Sequence, residues 1–288
     1  MSAQEILLTA LDQRYEKYRA ERKRCKVEYS EEAIHDLRIS TRRLMALIDL
    51  LRVITPHPNL QKLRRALKDQ LDNLDDLRDT QVMLVEISET FESLPELAPF
   101  QKSLQKREKR LLKIAEIEVR KFKFSAAISK HIGNGRAGLA EFDNQDLPAH
   151  LLAVVDDAFL TVFQRKERVD PAQSATIHRV RVAFKKFRYM LEIIYPILPG
   201  FPVVNFKRMH DYQTIMGEIQ DVEVFLHTLD DFSAKHNMYD FQSVHRFYEQ
   251  RHSDGINAYI ENMNELVAFW RETPDKPLPW ESQEKDKP

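Results

Sequence analysis

Thirteen prolines and only six glycines punctuate these 288 residues, and the prolines fall in clusters. They stand at Pro56 and Pro58, at Pro95 and Pro99, at Pro148, at Pro171, at Pro196, Pro199 and Pro202, and four times beyond Thr273. Proline breaks helix interiors and is tolerated at helix ends. The long proline-free tracts between the clusters carry apolar residues at helical spacing. A sandwich or barrel with many tight turns needs more glycine than this. The fold class expected is therefore all-α.

The tracts predict eight helices. The first runs from about Ala3 to Cys25. The second starts after Ser30, an N-cap residue with Glu31 and Glu32 in the first turn, and ends near Val53. The third spans about 59–92 and the fourth about 96–131, before Gly133 and Gly135. Gly138 to Pro148, with Asp143-Asn144-Gln145-Asp146, reads as a linker. Four more helices follow at about 148–168, 173–196, 202–233 and 239–271. The division expected is one domain over 1–272 made of two helical halves, 1–135 and 147–272. A tail over 273–288 lacks periodicity and is expected to be disordered or loosely docked.

Two stretches repeat. Ile34–Leu51 reads IHDLRISTRRLMALIDLL and Ile177–Ile194 reads IHRVRVAFKKFRYMLEII, 143 residues apart. Further on, LRDTQV at Leu77–Val82 answers IQDVEV at Ile219–Val224, 142 residues apart. Two matched segments in the same order point to a duplicated four-helix unit. Two four-helix bundles related by pseudo-two-fold symmetry are the architecture expected.

At ~100° per residue, His35, Arg38 and Arg42 share one helix face, and Leu37, Thr41, Leu44, Ile48 and Leu51 lie opposite. His178, Arg181, Lys185 and Arg188 form the matching stripe, with Val180, Phe184, Phe187, Leu191 and Ile194 toward the core. Asp49 and Glu192 stand further along the basic side and limit it. Like charges at i, i+4 destabilise a helix by a few tenths of a kcal/mol, yet both copies keep them. One such stripe reads as a solvated face or as cations paired with acids on a neighbouring helix. Two at matched positions favour a binding surface. The third helices add Arg64, Lys68 and Arg65 in one half and Lys207 and Arg208 in the other. Asp75, Asp79, Glu218 and Asp221 read as carboxylates that orient arginines from the second helix of each half.

The formal net charge is −1, so a polyanion partner requires segregated charge rather than excess. The slots beside His35 and His178 that a metal site fills with histidine or carboxylate hold arginine, which repels a cation. An anion is favoured there, and no metal or cofactor is expected. A phosphoacceptor histidine lacks a nucleotide-binding motif to work with. Phe184 and Phe187 point to the core, and Tyr189 is the one ring near the second stripe, matched by Ala46. Single-stranded nucleic acid is usually held with stacking rings, so nucleic acid is disfavoured against a ligand made only of phosphate. Cys25 stands alone, the N-terminus is not a secretory signal, and no apolar run approaches the ~18 residues of a membrane span. A cytoplasmic location is the expectation.

The patterns H-x-x-R-x-x-x-R-R and H-x-x-R-x-x-x-K-K-x-R-Y, each followed by an (L/I)-x-D-x-x-V segment, resemble the CHAD family, the conserved-histidine α-helical domain. The resemblance covers roughly 3–271. It implies two four-helix bundles around a central basic channel or groove, and binding of long-chain inorganic polyphosphate without known catalysis; polyphosphate granules are a location compatible with such a ligand. The family is often joined to a triphosphate-hydrolysing tunnel domain, whose ExExK segment is absent from this sequence. Carried over by position, the polyphosphate ligands would be His35, Arg38, Arg42, Arg43, Arg64, Lys68, His178, Arg181, Lys185, Lys186, Arg188 and Lys207. The family's glycine before the acidic motif is matched by Gly217, whereas the first half has Asn73-Leu74-Asp75. The rival readings are an enzyme that processes phosphoanhydrides through a histidine, a nucleic-acid binder, and a helical scaffold whose stripes are internally neutralised.

Overall fold

A computed structural model describes residues 2–121, 126–141 and 146–284. Every regular element among them is helical: α1 (Ala3–Glu28), α2 (Glu31–Ile54), α3 (Pro58–Asp72), α4 (Asp75–Thr90), α5 (Ala98–Lys121), α6 (Ala126–Glu141), α7 (Leu147–Lys166), α8 (Ser174–Ile194), α9 (Asn205–Ser233), α10 (Gln242–Asn262) and α11 (Pro279–Glu284). Local chemistry sets the helix starts. Ser2 and Glu5 form a capping box on α1. The Ser30 hydroxyl accepts from the Ala33 amide at 3.2 Å, with Glu31 and Glu32 in the first turn of α2.

The third and fourth expected helices differ from the structure. The third breaks at Asn73-Leu74 into α3 and α4. Asp72 and Asn73 are weak helix formers, and Asp75 and Asp76 suit the first turn of a new helix. The fourth divides into α5 and α6, with 122–125 outside the described residues. Gly133, Gly135 and Gly138 lie inside α6 instead of ending it. A Cβ on Gly138 would stand 3.2 Å from the Thr55 Cβ, so this glycine serves close approach of α6 to the end of α2. α6 therefore extends to Glu141, into the linker expected from Gly138 to Pro148, and 142–145 lie outside the described residues.

The tail is a second correction. Leu278 and Trp280 are buried, and Trp280 packs edge-on to Phe201 and against Trp270. Its indole N–H donates to the Pro199 carbonyl at 3.0 Å. Two large apolar side chains in PLPW are enough to dock the segment, each worth ~1.5–3 kcal/mol when buried. Residues 285–288 lie outside the described residues.

The packing is reciprocal. α1 pairs with α2 and α7 with α8; α2 then crosses α8, while α1 reaches α8 and α7 reaches α2. α4 packs on α5, α9 on α10, and α4 crosses α9. Exchanging the halves maps each of these contacts onto another of the set. Neither half keeps a core to itself. A large apolar cluster joins Leu37, Leu44, Ile48 and Leu67 to Phe159, Phe184, Phe187, Tyr212 and Trp270. A smaller one joins Met83, Ile87 and Phe100 to Val222, Phe225 and Tyr248. α7 is long and apolar enough to cross a membrane by length and composition. Here Leu151, Val155, Phe159 and Val162 are buried in the protein, and the helix packs on α8 and α2.

Candidate anion-binding site

Leu77 and Ile219 belong to the large cluster, Met83 and Val222 to the small one. The two (L/I)-x-D-x-x-V segments thus bridge the seam between the clusters, on α4 and α9. Polar residues that neither core can absorb collect there. Across the seam the crossing of α2 on α8 presents the two basic stripes, and these converge. Lys185 of α8 is among the charges acting on His35 of α2, and Arg181 is among those acting on Arg42. Arg42, Arg181 and Arg38 all act on Lys185.

Crowding of like charge in a poorly hydrated recess shows at Lys185, His35 and His178. Burial, with Arg181 and Arg42 beside it, pushes the Lys185 ammonium down to about 6, against the partial relief of Asp221. Burial lowers His35 and His178 as well, assisted by Arg42 and Arg38 for the first and by Arg181 and Lys185 for the second. Burial raises Asp79 and Asp221; Asp75 adds to the rise at Asp79, while Arg181 and Lys185 oppose it at Asp221. Asp221 is nonetheless reached by water. Asp221 thus keeps contact with solvent while protein atoms crowd around it. Four guanidinium groups (Arg38, Arg42, Arg78 and Arg181) and the weakly basic Lys185 gather around Asp75, Asp79 and Asp221, and Arg78 is paired with Glu31 besides.

The matched arginines differ in how they are held. Arg38 is buried; its Nη1 donates to the Leu71 carbonyl at 3.0 Å and pairs with Asp75 at 2.5 Å. It thereby satisfies the open C-terminus of α3 and ties it to the first turn of α4. Arg181 runs over Gly217 of the unbroken α9, where a Cβ would stand 3.3 Å from its Nη2. Its Nε is buried with no hydrogen-bond partner among the described residues, and so is Nδ1 of His178.

The structure brings together His35, Arg38, Arg42, His178, Arg181 and Lys185. Arg43 and Arg188 lie further along the same two helices, both near the buried Tyr189 ring, with their guanidinium carbons 5.8 and 5.9 Å from its centroid. The remaining carried-over cations are held elsewhere. Arg64 pairs with Asp49 at 2.5 Å, Lys68 with Asp72 at 2.5 Å and Lys207 with Asp211 at 2.9 Å, and Lys186 is exposed. Arg78 was missed among the candidate ligands although LRDTQV contains it; it pairs with Glu31 and acts on Asp221. Arg14 was missed because α1 carries no part of the repeat. Among the described residues no group of three or more His, Cys, Asp or Glu side chains is placed to hold a metal ion.

The model of the CHAD domain matches residues 9–230. The chain belongs to the CHAD domain family. A solved structure of similar fold, the CHAD domain from the plant Ricinus communis, is 17% identical with a TM-score of 0.66, over 97% of this chain and 94% of that one. At that identity the likeness speaks for the fold. No match was found among curated proteins. CHAD membership accounts for the helical architecture.

Proposed function

We propose that this CHAD domain binds inorganic polyphosphate in the concavity between α2, α8, α4 and α9 and does not turn it over. The observation that carries the reading is Lys185: an ammonium set between Arg181 and Arg42 without a direct ion pair among the described residues, its proton held only weakly. An anion with several oxygens relieves that repulsion and supplies acceptors for the orphaned Arg181 Nε and His178 Nδ1. The rings near the stripes are buried, so bases find no platform to stack on. His178 Nδ1, which an orienting carboxylate holds in a general base, has no such partner. Such a protein would reside with polyphosphate in the cytoplasm.

Calorimetric titration with polyphosphate of defined length at two salt concentrations tests the reading. Binding is expected, with log Kd rising linearly with log[salt], and the triple variant Arg42→Gln, Arg181→Gln, Lys185→Gln is expected to lose it while its helical circular dichroism persists. Unchanged affinity in that variant sinks the proposal. Incubation with polyphosphate and Mg²⁺ is expected to release no phosphate; release that disappears in His35→Ala or His178→Ala assigns an enzyme instead.

A further inference from the structure

Beyond Lys185 the basic track meets one carboxylate. Glu192 of α8 faces three guanidinium groups from three helices: Arg14 of α1 at 3.9 Å, Arg43 of α2 at 3.3 Å and Arg188 of α8 at 3.3 Å. Charge-assisted hydrogen bonds close at about 2.7–2.9 Å, so none of the three is well made. The Arg188 Nε is buried and its approach to Glu192 lacks hydrogen-bond geometry. Arg188 also donates to Gln213 at 3.3 Å, and Arg14 donates to the Arg43 carbonyl at 3.2 Å. Arg14, Arg188 and Glu192 keep 12–16% of their side-chain surface, while Arg43 keeps 44% and opens the cluster to solvent.

The first half contains its own contrast. Asp49 occupies the matched position, 143 residues earlier. Its Oδ1 takes Arg64 at 2.5 Å and Arg52 at 3.1 Å. There, two arginines close on one carboxylate in a settled ion pair. At Glu192, three arginines share one carboxylate loosely, and burial with Arg43 nearby lowers Arg14 to about 10 despite the relief from Glu192. One negative charge is too little for this cluster, and it sits at the end of a track already rich in cations.

We propose that Arg14, Arg43 and Arg188 form a second phosphate subsite, in which the Glu192 carboxylate stands where a phosphate of a long chain binds, and that a long polyphosphate displaces it. The inference rests on reading the central recess as a polyphosphate site. Glu192 lies seven residues beyond Lys185 on α8, about 10 Å along the axis at 1.5 Å per residue. A tripolyphosphate seated on Arg181 and Lys185 stops short of it, whereas a chain of tens of phosphates runs on past it. Glu192 then acts as an internal competitor that penalises long chains, and Arg14 adds a residue from outside the duplicated pattern to the ligand set.

The test compares two ligands and two variants by calorimetry at low salt, with melting temperatures as the control for folding. Glu192→Gln is expected to raise the affinity for a long chain about 5- to 10-fold and to leave tripolyphosphate at the tight central site unchanged. Arg43→Gln is expected to lower long-chain affinity several-fold with the same indifference to tripolyphosphate. Long-chain affinity unmoved by both variants overturns the subsite while leaving the central site standing. Equal rises for both ligands in Glu192→Gln also overturn it, because Glu192 then acts as general negative charge. Absence of polyphosphate binding by the wild-type protein overturns the central reading and this inference with it.

Discussion

The two halves place an arginine at the same position and hold it in opposite ways. In the first half the helix opposite breaks, and Arg38 fills the break, bonded to the Leu71 carbonyl and to Asp75. In the second the helix runs on, and Gly217 lets Arg181 pass over its backbone with the guanidinium Nε unbonded. One arginine holds two helices together; the other keeps its guanidinium Nε without a hydrogen bond among the described residues. The same residue at matched positions thus stands in two different settings. The cores follow the same division: Leu37, Leu44, Leu47, Ile48 and Leu67 line the first half, whereas Phe159, Phe184, Phe187, Tyr212 and Trp270 line the second.

Exchanging the two arginines one at a time separates these tasks, and the largest effect is expected from Arg181→Gln. It removes charge-assisted contacts worth ~1.5–3 kcal/mol, so the Kd for polyphosphate should rise roughly 10- to 150-fold, with little change in melting temperature. Arg38→Gln should do the reverse. It removes the bonds by which Arg38 joins the Leu71 carbonyl to Asp75 across the break, worth ~1.5–3 kcal/mol for a charged donor, and should lower the melting temperature by several degrees with a smaller loss of affinity. Equal binding losses from the two variants would remove the asymmetry.

Lys185 sharpens the comparison because its first-half counterpart, Arg42, does not lose its proton near neutrality. Its folded value, about 6, lies below that of an ordinary lysine. Between about 6 and 10.5 the unfolded chain therefore holds the extra proton, and Lys185 lets stability rise with pH across that window. At pH 7 the empty protein is held below its attainable stability, so Lys185→Met should add ~1–2 kcal/mol, as function-costing sites do when neutralised, while weakening binding. A melting-temperature drop in that variant contradicts the assignment.

Binding of an anion favours the protonated lysine, so affinity should rise as pH falls from 8 toward 6. The limit is about tenfold per pH unit for one proton, and the Lys185 contribution flattens below about 6. Calorimetry in buffers of different ionisation enthalpy would show the proton uptake directly. The smallest effect is expected from Gly217→Ala. The added Cβ meets Arg181 at 3.3 Å and moves a flexible side chain, so polyphosphate affinity should fall a few-fold. Helix propensity should meanwhile add ~0.5–1 kcal/mol to stability.

Much of this was legible in the sequence, because helix starts and amphipathic stripes are local properties. Ser30 with Glu31 and Glu32, and the two histidine-bearing stripes, needed no tertiary information. The break at Asn73-Leu74 was written in LDNLDDL but is decided by Arg38, which arrives from another helix. Gly138 reads locally as a stop and acts in the fold as a packing surface against Thr55. Trp280 sits in a proline-rich stretch without periodicity, and only Phe201, Trp270 and the Pro199 carbonyl give it a place. Arg64, Lys68 and Lys207 matched the ligand pattern by position, yet each is paired with a carboxylate at 2.5–2.9 Å. Arg14 lies outside every repeat, so no pattern pointed to it.

The central claim is that two stripes from two halves make one site. Calorimetric titration of tripolyphosphate into the wild-type protein, Arg42→Gln and Arg181→Gln tests it most directly, since each variant touches one half alone. One tight ligand per chain is predicted for the wild type, and the tight event should be lost from each variant. Two tight ligands per wild-type chain, with each variant keeping one at undiminished affinity, would mean two separate sites and contradict the account.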